Sequence, residues 1–284
     1  MLRGLIAALV SAACYGTGSV LQAKAATSTP GTVGTPGTPE PAGVDPRLLI
    51  RLLGRTPFIL GMLLDVCGFA AQFVALRSVP VFLVQTAQAA SLAVTALVAV
   101  PLLKVRLRPR EWSAVGVVTV GLALVGLSAG AEGAAATGPG FRIGLVVAVL
   151  VLGGVGLAAG RYGRAVGSAV LGGVAGLGFG IVALAARALT SLSPGHLLRD
   201  PASYALALGG VVAFAFYATG LQRGAVTTVT AAVVVGETAA PAVIGILVFG
   251  DHTRPGTAPL AVAGFIAALV GAFGLSRFGQ LSED

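Results

Sequence analysis

The chain has 284 residues, of which 56% are hydrophobic and only 10% are charged, and its mean hydropathy is +0.95. A soluble domain carries about 25% charged residues, because a surface in contact with water needs charge to stay dispersed. The composition therefore excludes a soluble enzyme, a disordered chain and a disulfide-rich secreted module, and it predicts an integral membrane protein. At about 20 residues to a spanning helix, the chain has room for about nine or ten spans.

Long apolar runs follow one another along the chain and predict nine transmembrane helices. Runs of this length are too long for barrel strands, and a helix satisfies its backbone hydrogen bonds inside the bilayer. The fold class is therefore an all-α integral membrane protein. The predicted spans are Gly4–Gln22, Phe58–Leu76, Val81–Leu103, Trp112–Ala129, Phe141–Ala159, Ala165–Ala185, Tyr204–Leu221, Val226–Phe249 and Pro259–Leu275.

Two segments between the first and second spans have the composition of other structures. Residues 27–45 are rich in Thr, Pro and Gly, with repeated Gly-Thr-Pro units, and this composition predicts a flexible linker. Residues 46–55 are too short to span, and Arg47, Arg51 and Arg55 recur every four residues between leucines. That spacing predicts an interfacial helix that lies on anionic lipid.

The basic residues indicate the orientation of the chain in the membrane. With nine spans, 12 of the 18 Lys and Arg residues fall on the side that holds the C-terminus, and 6 fall on the side of the N-terminus. Cytoplasmic loops carry the excess of Lys and Arg. We therefore expect a multi-pass protein of the cytoplasmic membrane with its N-terminus outside and its C-terminus in the cytoplasm. The net charge of +8 belongs to these short loops, so we expect no nucleic-acid partner.

The chain contains a weak internal repeat of two helices and the turn that joins them. Arg77 precedes span three and Pro109 precedes span four, while Arg223 and Pro255 hold the same places around spans eight and nine; both pairs are 32 residues apart. Under the predicted topology the two copies cross the membrane in opposite directions, as in many secondary transporters. The repeat divides the chain into two inverted halves, residues 1–140 and 141–284. Chance likeness between two helical hairpins is the alternative.

Short runs in both copies carry a family resemblance. They are Ala75-Leu76-Arg77, Leu83-Val84-Gln85, Leu103-Lys104-Val105-Arg106-Leu107 and Glu111-Trp112 in the first copy, and Gly236-Glu237-Thr238-Ala239-Ala240-Pro241 and Phe249-Gly250-Asp251 in the second. Through these loose motifs the whole chain resembles the EamA-like repeat proteins of the drug/metabolite transporter superfamily. The long first loop and Arg161-Tyr162-Gly163 resemble most closely the NIPA-type branch, which is associated with magnesium transport. The resemblance implies a transporter with two EamA-like halves, and Asp65 falls where that branch carries an acidic residue.

Two acidic residues, Asp65 and Glu237, lie near the middle of predicted spans. An ionised carboxylate in hydrocarbon is costly unless it is paired or hydrated, and no Lys or Arg lies mid-span to pair with either acid. A transported cation or proton is therefore the expected counter-charge. The alternative is that both carboxyl groups are protonated and bonded to backbone carbonyls. Pro241 removes the helical hydrogen bond to the Glu237 carbonyl and frees an acceptor beside the carboxylate.

Span three carries a polar stripe that includes Gln85, Gln88 and Ser91 on one helix face. Such a stripe can line a substrate path, and hydrogen bonding between helices is the alternative role. Weaker candidates on other spans are Gln72, Tyr217 and Gln222. In the first span, the polar residues line a path or lie at the membrane interface; they are Tyr15, Thr17, Ser19 and Gln22.

Span six carries Gly172, Gly176 and Gly180 on one face, a spacing that lets helices approach closely. Packing within the chain is the preferred interpretation of this face, and a homodimer contact is the alternative. The sequence has no phosphate-binding loop, zinc spacing or catalytic triad, so we expect neither an enzyme nor a cofactor.

These observations leave three functional hypotheses. The leading one is a secondary transporter that moves a small solute by alternating access, coupled to protons or cations, with lipid and its substrate as partners. Its predicted binding residues are Asp65, Gln85, Gln88, Ser91, Glu237 and Tyr217. The first alternative is a magnesium transporter of NIPA type with Asp65 and Glu237 as metal ligands, since magnesium prefers oxygen ligands. The second is a non-transporting membrane scaffold or lipid-handling partner.

Overall fold

The computed structural model describes residues 2–27, 54–103, 108–131, 133, 137–159, 164–223 and 226–278. Within these ranges the secondary structure consists of helices, so the predicted all-α fold class is confirmed. The helices are α1 Leu2–Thr27, α2 Thr56–Leu76, α3 Val81–Leu103, α4 Pro109–Ser128, α5 Pro139–Ala159, α6 Arg164–Ala188, α7 Pro194–Leu197, α8 Pro201–Arg223, α9 Val226–Val248 and α10 Ala258–Phe278.

Eight of the described helices are long and apolar enough to cross a membrane. The two others are α7, which has only four residues, and α9. The described apolar stretch of α9, Ala232–Val248, is shorter. Large apolar side chains such as Leu157, Val211 and Leu247 are exposed on the outside of the bundle. A surface of this kind requires lipid as its solvent. The prediction of a multi-pass membrane protein is confirmed at this level.

Several predicted segments lie outside the described residues. The first helix continues to Thr27, beyond its predicted end at Gln22, and the linker that follows it is not described. The same is true of residues 46–53 of the predicted interfacial helix, of the basic turn at 104–107 and of residues 161–163.

The start of α4 differs from the prediction for a local reason. The helix begins at Pro109, whereas the hydrophobic pattern placed its start at Trp112. Proline fits the first helical position because its missing N–H has no helical partner there. The Glu111 carboxylate accepts a hydrogen bond from the Arg108 backbone N–H at 2.6 Å, as in a capping box. These polar residues extend the helix beyond its apolar stretch.

The start of α8 is fixed in the same way. The helix begins at Pro201, before the predicted start at Tyr204, and Asp200 caps it through a hydrogen bond from the Ala202 N–H to Oδ1 at 2.9 Å. The other carboxylate oxygen forms an ion pair with Arg142 Nη1 of α5, also at 2.9 Å. Asp200 therefore both caps α8 and holds it against α5.

The first three helices form a compact group, which we refer to as the first helix group. Helices α1 and α2 are antiparallel, because Gly18 of α1 lies against Gly61 of α2 while Gly4 lies against Ser78 at the other end of α2. The short turn 77–80 then reverses the chain. Helix α3 consequently runs in the same direction as α1, against which it packs.

Helices α6, α8 and α9 form the second helix group. Helices α6 and α8 are antiparallel, because Leu171 lies against Gly220 and Gly178 lies against Ala213. The second group therefore begins with the same kind of antiparallel pair as the first group.

The glycine face of α6 is used inside this second group. A Cβ atom on Gly172 or Gly176 would meet the backbone of Val229 or Val233, and one on Gly180 would meet the ring of Pro241. Since the contacts advance along α6 and α9 together, the two helices are parallel. The glycine spacing serves close packing within the chain, and a homodimer stays a prediction.

The two groups face each other through α3 and α9, and α4 packs antiparallel to α10 beside them. Gly121 and Gly264 permit this last contact, because a Cβ on either residue would meet the backbone carbonyl of the other. Helix α5 packs on α6 and α8 at the edge of the second group.

Four connections between helices lie at one end of the bundle, which we call the upper end; they are the connections that follow α2, α4, α6 and α9. An isolated β-bridge joins Ala129, after α4, to Thr253, before α10. The Arg77 guanidinium, after α2, donates a hydrogen bond to the carbonyl of Thr190, after α6, at 3.3 Å.

Candidate functional site

A cavity of about 330 Å³ lies between the two helix groups. All six helices of the two groups contribute to its wall, and one carboxylate and several amides line it together with aromatic rings. The lining residues are Tyr15, Phe69, Gln72, Phe73, Leu76, Gln85, Gln88, Phe179, Val182, Ala183, Ala186, Gly210 and Glu237. Gln85, Gln88 and Glu237 of the predicted site are thus brought to one cavity.

Gln85 links α3 to the part of α9 where Pro241 leaves one helical hydrogen bond unformed. Proline has no N–H, so Pro241 leaves the carbonyl of Glu237 without its usual helical partner. The Gln85 Nε2 donates a hydrogen bond to this carbonyl. Gln85 is only 2% exposed, and its Oε1 has no hydrogen-bond partner among the described residues. An unpartnered buried acceptor costs about 1–3 kcal/mol, so this oxygen favours a ligand that donates a hydrogen bond.

The side chain of Glu237 is the one carboxylate among the residues that line the cavity. It lies in the middle of α9, and within the described ranges no Lys, Arg or His forms an ion pair with it. A carboxylate in such a position must be protonated or neutralised by a cation. The cavity therefore has a single ionisable acid that can exchange a counter-charge with a ligand or a proton.

Two further amides extend the polar wall of the cavity. Gln72 Oε1 accepts a hydrogen bond from the Tyr15 hydroxyl at 3.3 Å, which joins α1 to α2 across the cavity wall. Gln88 lies one helical turn after Gln85 on α3 and lines the same space. Amides both donate and accept, so they can orient a polar solute without contributing charge.

Three phenylalanine rings provide the apolar part of the lining. Phe69 and Phe73 come from α2, and Phe179 comes from α6 on the opposite side of the cavity. The Arg77 guanidinium lies 5.4 Å from the centre of the Phe73 ring, so one ring already holds a cation at its face. The rings of Phe69 and Phe179 are the other two phenylalanine surfaces among the described lining residues.

Asp65 is not among the residues that line the cavity, although it lies one helical turn before Phe69 on the same face of α2. Its Oδ2 accepts a hydrogen bond from Gln22 Nε2 at 2.6 Å, and its Oδ1 lies beside Gly18. Asp65 therefore connects α2 to α1. A two-carboxylate site made of Asp65 and Glu237 does not occur in the lining of this cavity.

Ser91 and Tyr217 also lie outside the lining. The Ser91 carbonyl approaches Gly16 of α1, at the contact between α1 and α3. Tyr217 packs with a small apolar cluster that contains Ala175 and Val233 of the second helix group. Both residues contact neighbouring helices of their own group.

A buried ion pair joins the helix ends above the cavity. Arg187 Nη2 lies 3.1 Å from Asp251 Oδ1, and the two side chains are 6% and 0% exposed. The same guanidinium donates hydrogen bonds to the carbonyls of Leu76 and Val79, between α2 and α3. Since Leu76 also lines the cavity, this ion pair lies at the upper boundary of the cavity.

Asp251 completes this network with two backbone donors. Its Oδ2 accepts the Val81 N–H at 2.6 Å, and its Oδ1 accepts the Gly133 N–H at 2.9 Å. The Val81 N–H is one of the unpaired donors at the start of α3, where the helix dipole favours a negative charge. Gly133 lies so close to the Phe249 carbonyl that a side chain would clash there. The network thus ties α2, α3, α6 and α9 together at the upper end.

Sequence reasoning missed the Arg187–Asp251 pair and the phenylalanine rings. Arg187 and Asp251 lie 64 residues apart at the ends of spans, and each alone reads as an ordinary loop charge. The Gly-Asp pair that follows α9 was noticed only as part of a family motif. A phenylalanine in an apolar span carries no signal that distinguishes a cavity from lipid.

A second cavity, of about 310 Å³, lies at the upper end and is lined by Arg142, His196, Arg199 and Asp200 among others. Its carboxylate is already bonded to Arg142, to His196 at 3.2 Å and to the start of α8. The Asp200 carboxylate of this cavity thus serves the attachment of α8.

Comparisons of the chain with protein-family models, with curated proteins and with solved structures find no match. The resemblance to EamA-like and NIPA-type transporters therefore stays a prediction.

Proposed function

We propose that this protein is a secondary transporter that moves a small solute across the membrane by alternating access, with the cavity between the helix groups as its binding site. The observation that carries the proposal is the Glu237 carboxylate, which lines the cavity without an ion pair to any residue that the structure describes, one turn before Pro241 of α9. A charged group in a spanning helix is costly, and it marks a substrate or ion pathway in most membrane proteins that contain one.

The packing of the helix groups supports an inverted repeat. In each group an antiparallel pair, α1–α2 or α6–α8, is followed by a third helix that packs on the first member in a parallel direction. Gln85 and Val81 of α3 contact Glu237 and Gly245 of α9 in reverse order, so the two groups point in opposite directions. Transporters with this architecture bind substrate at the repeat interface near the midplane, often beside a discontinuous helix.

We further propose that the upper end faces the outside of the cytoplasmic membrane. The cytoplasmic side is then the side with most of the Lys and Arg residues of the sequence, as the positive-inside rule requires. The β-bridge between Ala129 and Thr253 fits this orientation, because both residues follow spans that are predicted to end outside. In this orientation the Arg187–Asp251 pair lies between the cavity and the outside, where it acts as an outer closure.

The lining of the cavity favours a small solute over magnesium. Magnesium needs octahedral oxygen ligands and is usually held by one or two carboxylates together with phosphates or water. Asp65 lies outside the lining, and the described residues contain no group of three or more His, Cys, Asp or Glu side chains that could hold a metal ion. The family proposal is accordingly an EamA-like transporter of a small solute rather than a magnesium transporter of NIPA type.

Solute counterflow in proteoliposomes tests the proposal. Solutes are first selected by their effect on the thermal stability of the purified protein, and the vesicles are then preloaded with a selected solute. We expect the wild-type protein to exchange labelled solute with the medium, and Glu237→Gln to abolish this exchange. The glutamine side chain has nearly the same shape, so the variant removes the charge with little change in packing.

Asp65→Asn is the matched control, because it makes the same chemical change to an intramembrane acid outside the cavity. Its hydrogen bond with Gln22 can be kept by the amide oxygen of asparagine. We expect this variant to retain exchange. Unchanged exchange in Glu237→Gln, or no exchange of any selected solute by the wild-type protein, would overturn the proposal.

A further inference from the structure

The charge of the cavity lining is of one sign. Glu237 is the acidic member, and the lining residues that the structure describes include no Lys, Arg or His. Arg77 and Arg187 border the upper end, but Arg187 is paired with Asp251 and Arg77 bonds to the Thr190 carbonyl outside the cavity. A solute with a positive charge would find its counter-charge inside the cavity, and an anion would meet the Glu237 carboxylate without a neutralising partner.

The hydrogen-bonding groups of the lining also favour a donor. The buried Gln85 Oε1 is an acceptor without a partner, and it belongs to the side chain that contacts the Glu237 backbone. An ammonium group has only donors, so one such group placed between these residues can satisfy the amide oxygen and the carboxylate together. A hydroxyl group can satisfy only one of these acceptors with its single hydrogen.

The aromatic rings provide a second attraction for the same class of ligand. The rings of Phe69 and Phe179 lie on opposite helix groups and line the same cavity as Glu237. The face of an aromatic ring attracts cations, and its surface also accepts the apolar body of an organic molecule. A cavity of about 330 Å³ is at the small end of ligand pockets. The volume therefore fits a small organic molecule.

We propose that the ligand of this cavity is a small organic cation, an amine whose ammonium group binds Glu237 and Gln85 and whose apolar part packs on Phe69 and Phe179. This inference rests on the proposed transport function, since it names the class of solute that the same site takes. Amines with a small aromatic or branched body meet these requirements.

A charge series of one shape tests the inference. The probes are phenylethylammonium, 2-phenylethanol and phenylacetate, which share the phenyl ring and have a positive, a neutral and a negative head group. Binding is measured by isothermal titration calorimetry on the full-length protein in detergent. We expect phenylethylammonium to bind about ten-fold or more tightly than the alcohol or the acid, because charge-assisted hydrogen bonds are the stronger ones. We expect Glu237→Gln to weaken binding of the ammonium by a similar factor.

Two further variants keep the test decisive. Glu237→Asp retains the charge, so it should retain the preference for phenylethylammonium over phenylacetate even if Glu237→Gln does not fold. Asp65→Asn should leave the affinity for phenylethylammonium unchanged. Equal affinity for the three probes, tighter binding of phenylacetate, or wild-type affinity of the ammonium in Glu237→Gln would overturn the inference.

The same samples separate this inference from the transport proposal. If counterflow depends on Glu237 but the exchanged solutes are neutral or anionic, the transport proposal stands and the organic-cation inference fails. If calorimetry shows selective binding of phenylethylammonium and proteoliposomes exchange neither this probe nor any selected solute, the ligand class stands and transport fails.

Discussion

Removal of the Asp251 carboxylate should destabilise the protein strongly. In Asp251→Ala the Arg187 guanidinium stays buried at 6% exposure without its counter-charge, and the N–H groups of Val81 and Gly133 lose their acceptor. Breaking a buried ion pair by removal of one partner costs about 3–5 kcal/mol. The carbonyls of Leu76 and Val79 still accept from Arg187, so we expect a loss near the lower end of this range.

Two further variants show which part of the interaction matters. Asp251→Asn keeps an oxygen acceptor for the Val81 N–H but removes the charge, and we expect it to lose less stability than Asp251→Ala. Arg254→Ala is the control on the same connection, because the Arg254 side chain is exposed and its backbone N–H, which bonds to the Ser128 carbonyl at 2.9 Å, is kept. Exposed substitutions of this kind change stability by about 0.5 kcal/mol or less.

The assay is reversible unfolding of the detergent-solubilised protein, followed by circular dichroism as a function of denaturant. The free energy of unfolding is compared among the wild-type protein and the three variants. A loss of less than about 1 kcal/mol in Asp251→Ala, below the range for a broken buried pair, would refute the reasoning. So would equal losses in Asp251→Ala and Arg254→Ala.

Two other predictions, one on helix packing and one on a hydrogen bond between helices, use the same unfolding measurement. Gly176→Ala should destabilise the protein by about 1–3 kcal/mol through overpacking, because its new methyl group would lie 2.8 Å from the Val233 Cα. Gly173→Ala has open space around the new methyl group and should be neutral or stabilising by up to about 1 kcal/mol. A larger loss of stability in Gly173→Ala than in Gly176→Ala would contradict the packing of α6 on α9 described above. Gln85→Leu removes the donor to the Glu237 carbonyl, and it also removes the unpartnered Oε1, so two costs of about 1–3 kcal/mol offset each other. We therefore expect a net change of about 1 kcal/mol or less, and a loss above about 3 kcal/mol would contradict the unpartnered state of this oxygen.

The sequence predicts the helices well because long apolar runs have one solution in a bilayer. The start of α8 at Pro201 was also readable, since an Asp followed by Pro is a strong helix-start signal, but the hydrophobic pattern alone placed it three residues later. When every face of a span is apolar, the hydrophobic periodicity does not show which face contacts other helices. Asp65 shares a face of α2 with Phe69 and Gln72 of the lining, and its hydrogen bond with Gln22 of α1 is a contact that the sequence does not display.

The site was partly predictable for a related reason. Polar groups in spans are costly and usually have a functional role. The sequence could therefore indicate Glu237, Gln85 and Gln88 as residues of the site. Pro241 identified the Glu237 carbonyl as an unpaired acceptor, but the donor that fills it comes from α3, 152 residues away along the chain. Arg187 and Asp251 are 64 residues apart in sequence, and the strength of their interaction comes from burial, which only the folded bundle supplies.

Alternating access requires that the cavity open to each side of the membrane in turn. A Val182→Cys variant in a background without Cys14 and Cys67 reports this, because Val182 lines the cavity. Inside-out and right-side-out vesicles are treated with a membrane-impermeant thiol reagent, and Thr253→Cys serves as the standard for a position reached from outside only. We expect position 182 to be labelled from both sides, and we expect a bound solute to slow the labelling. Labelling of position 182 from one side alone, with or without solute, would contradict it.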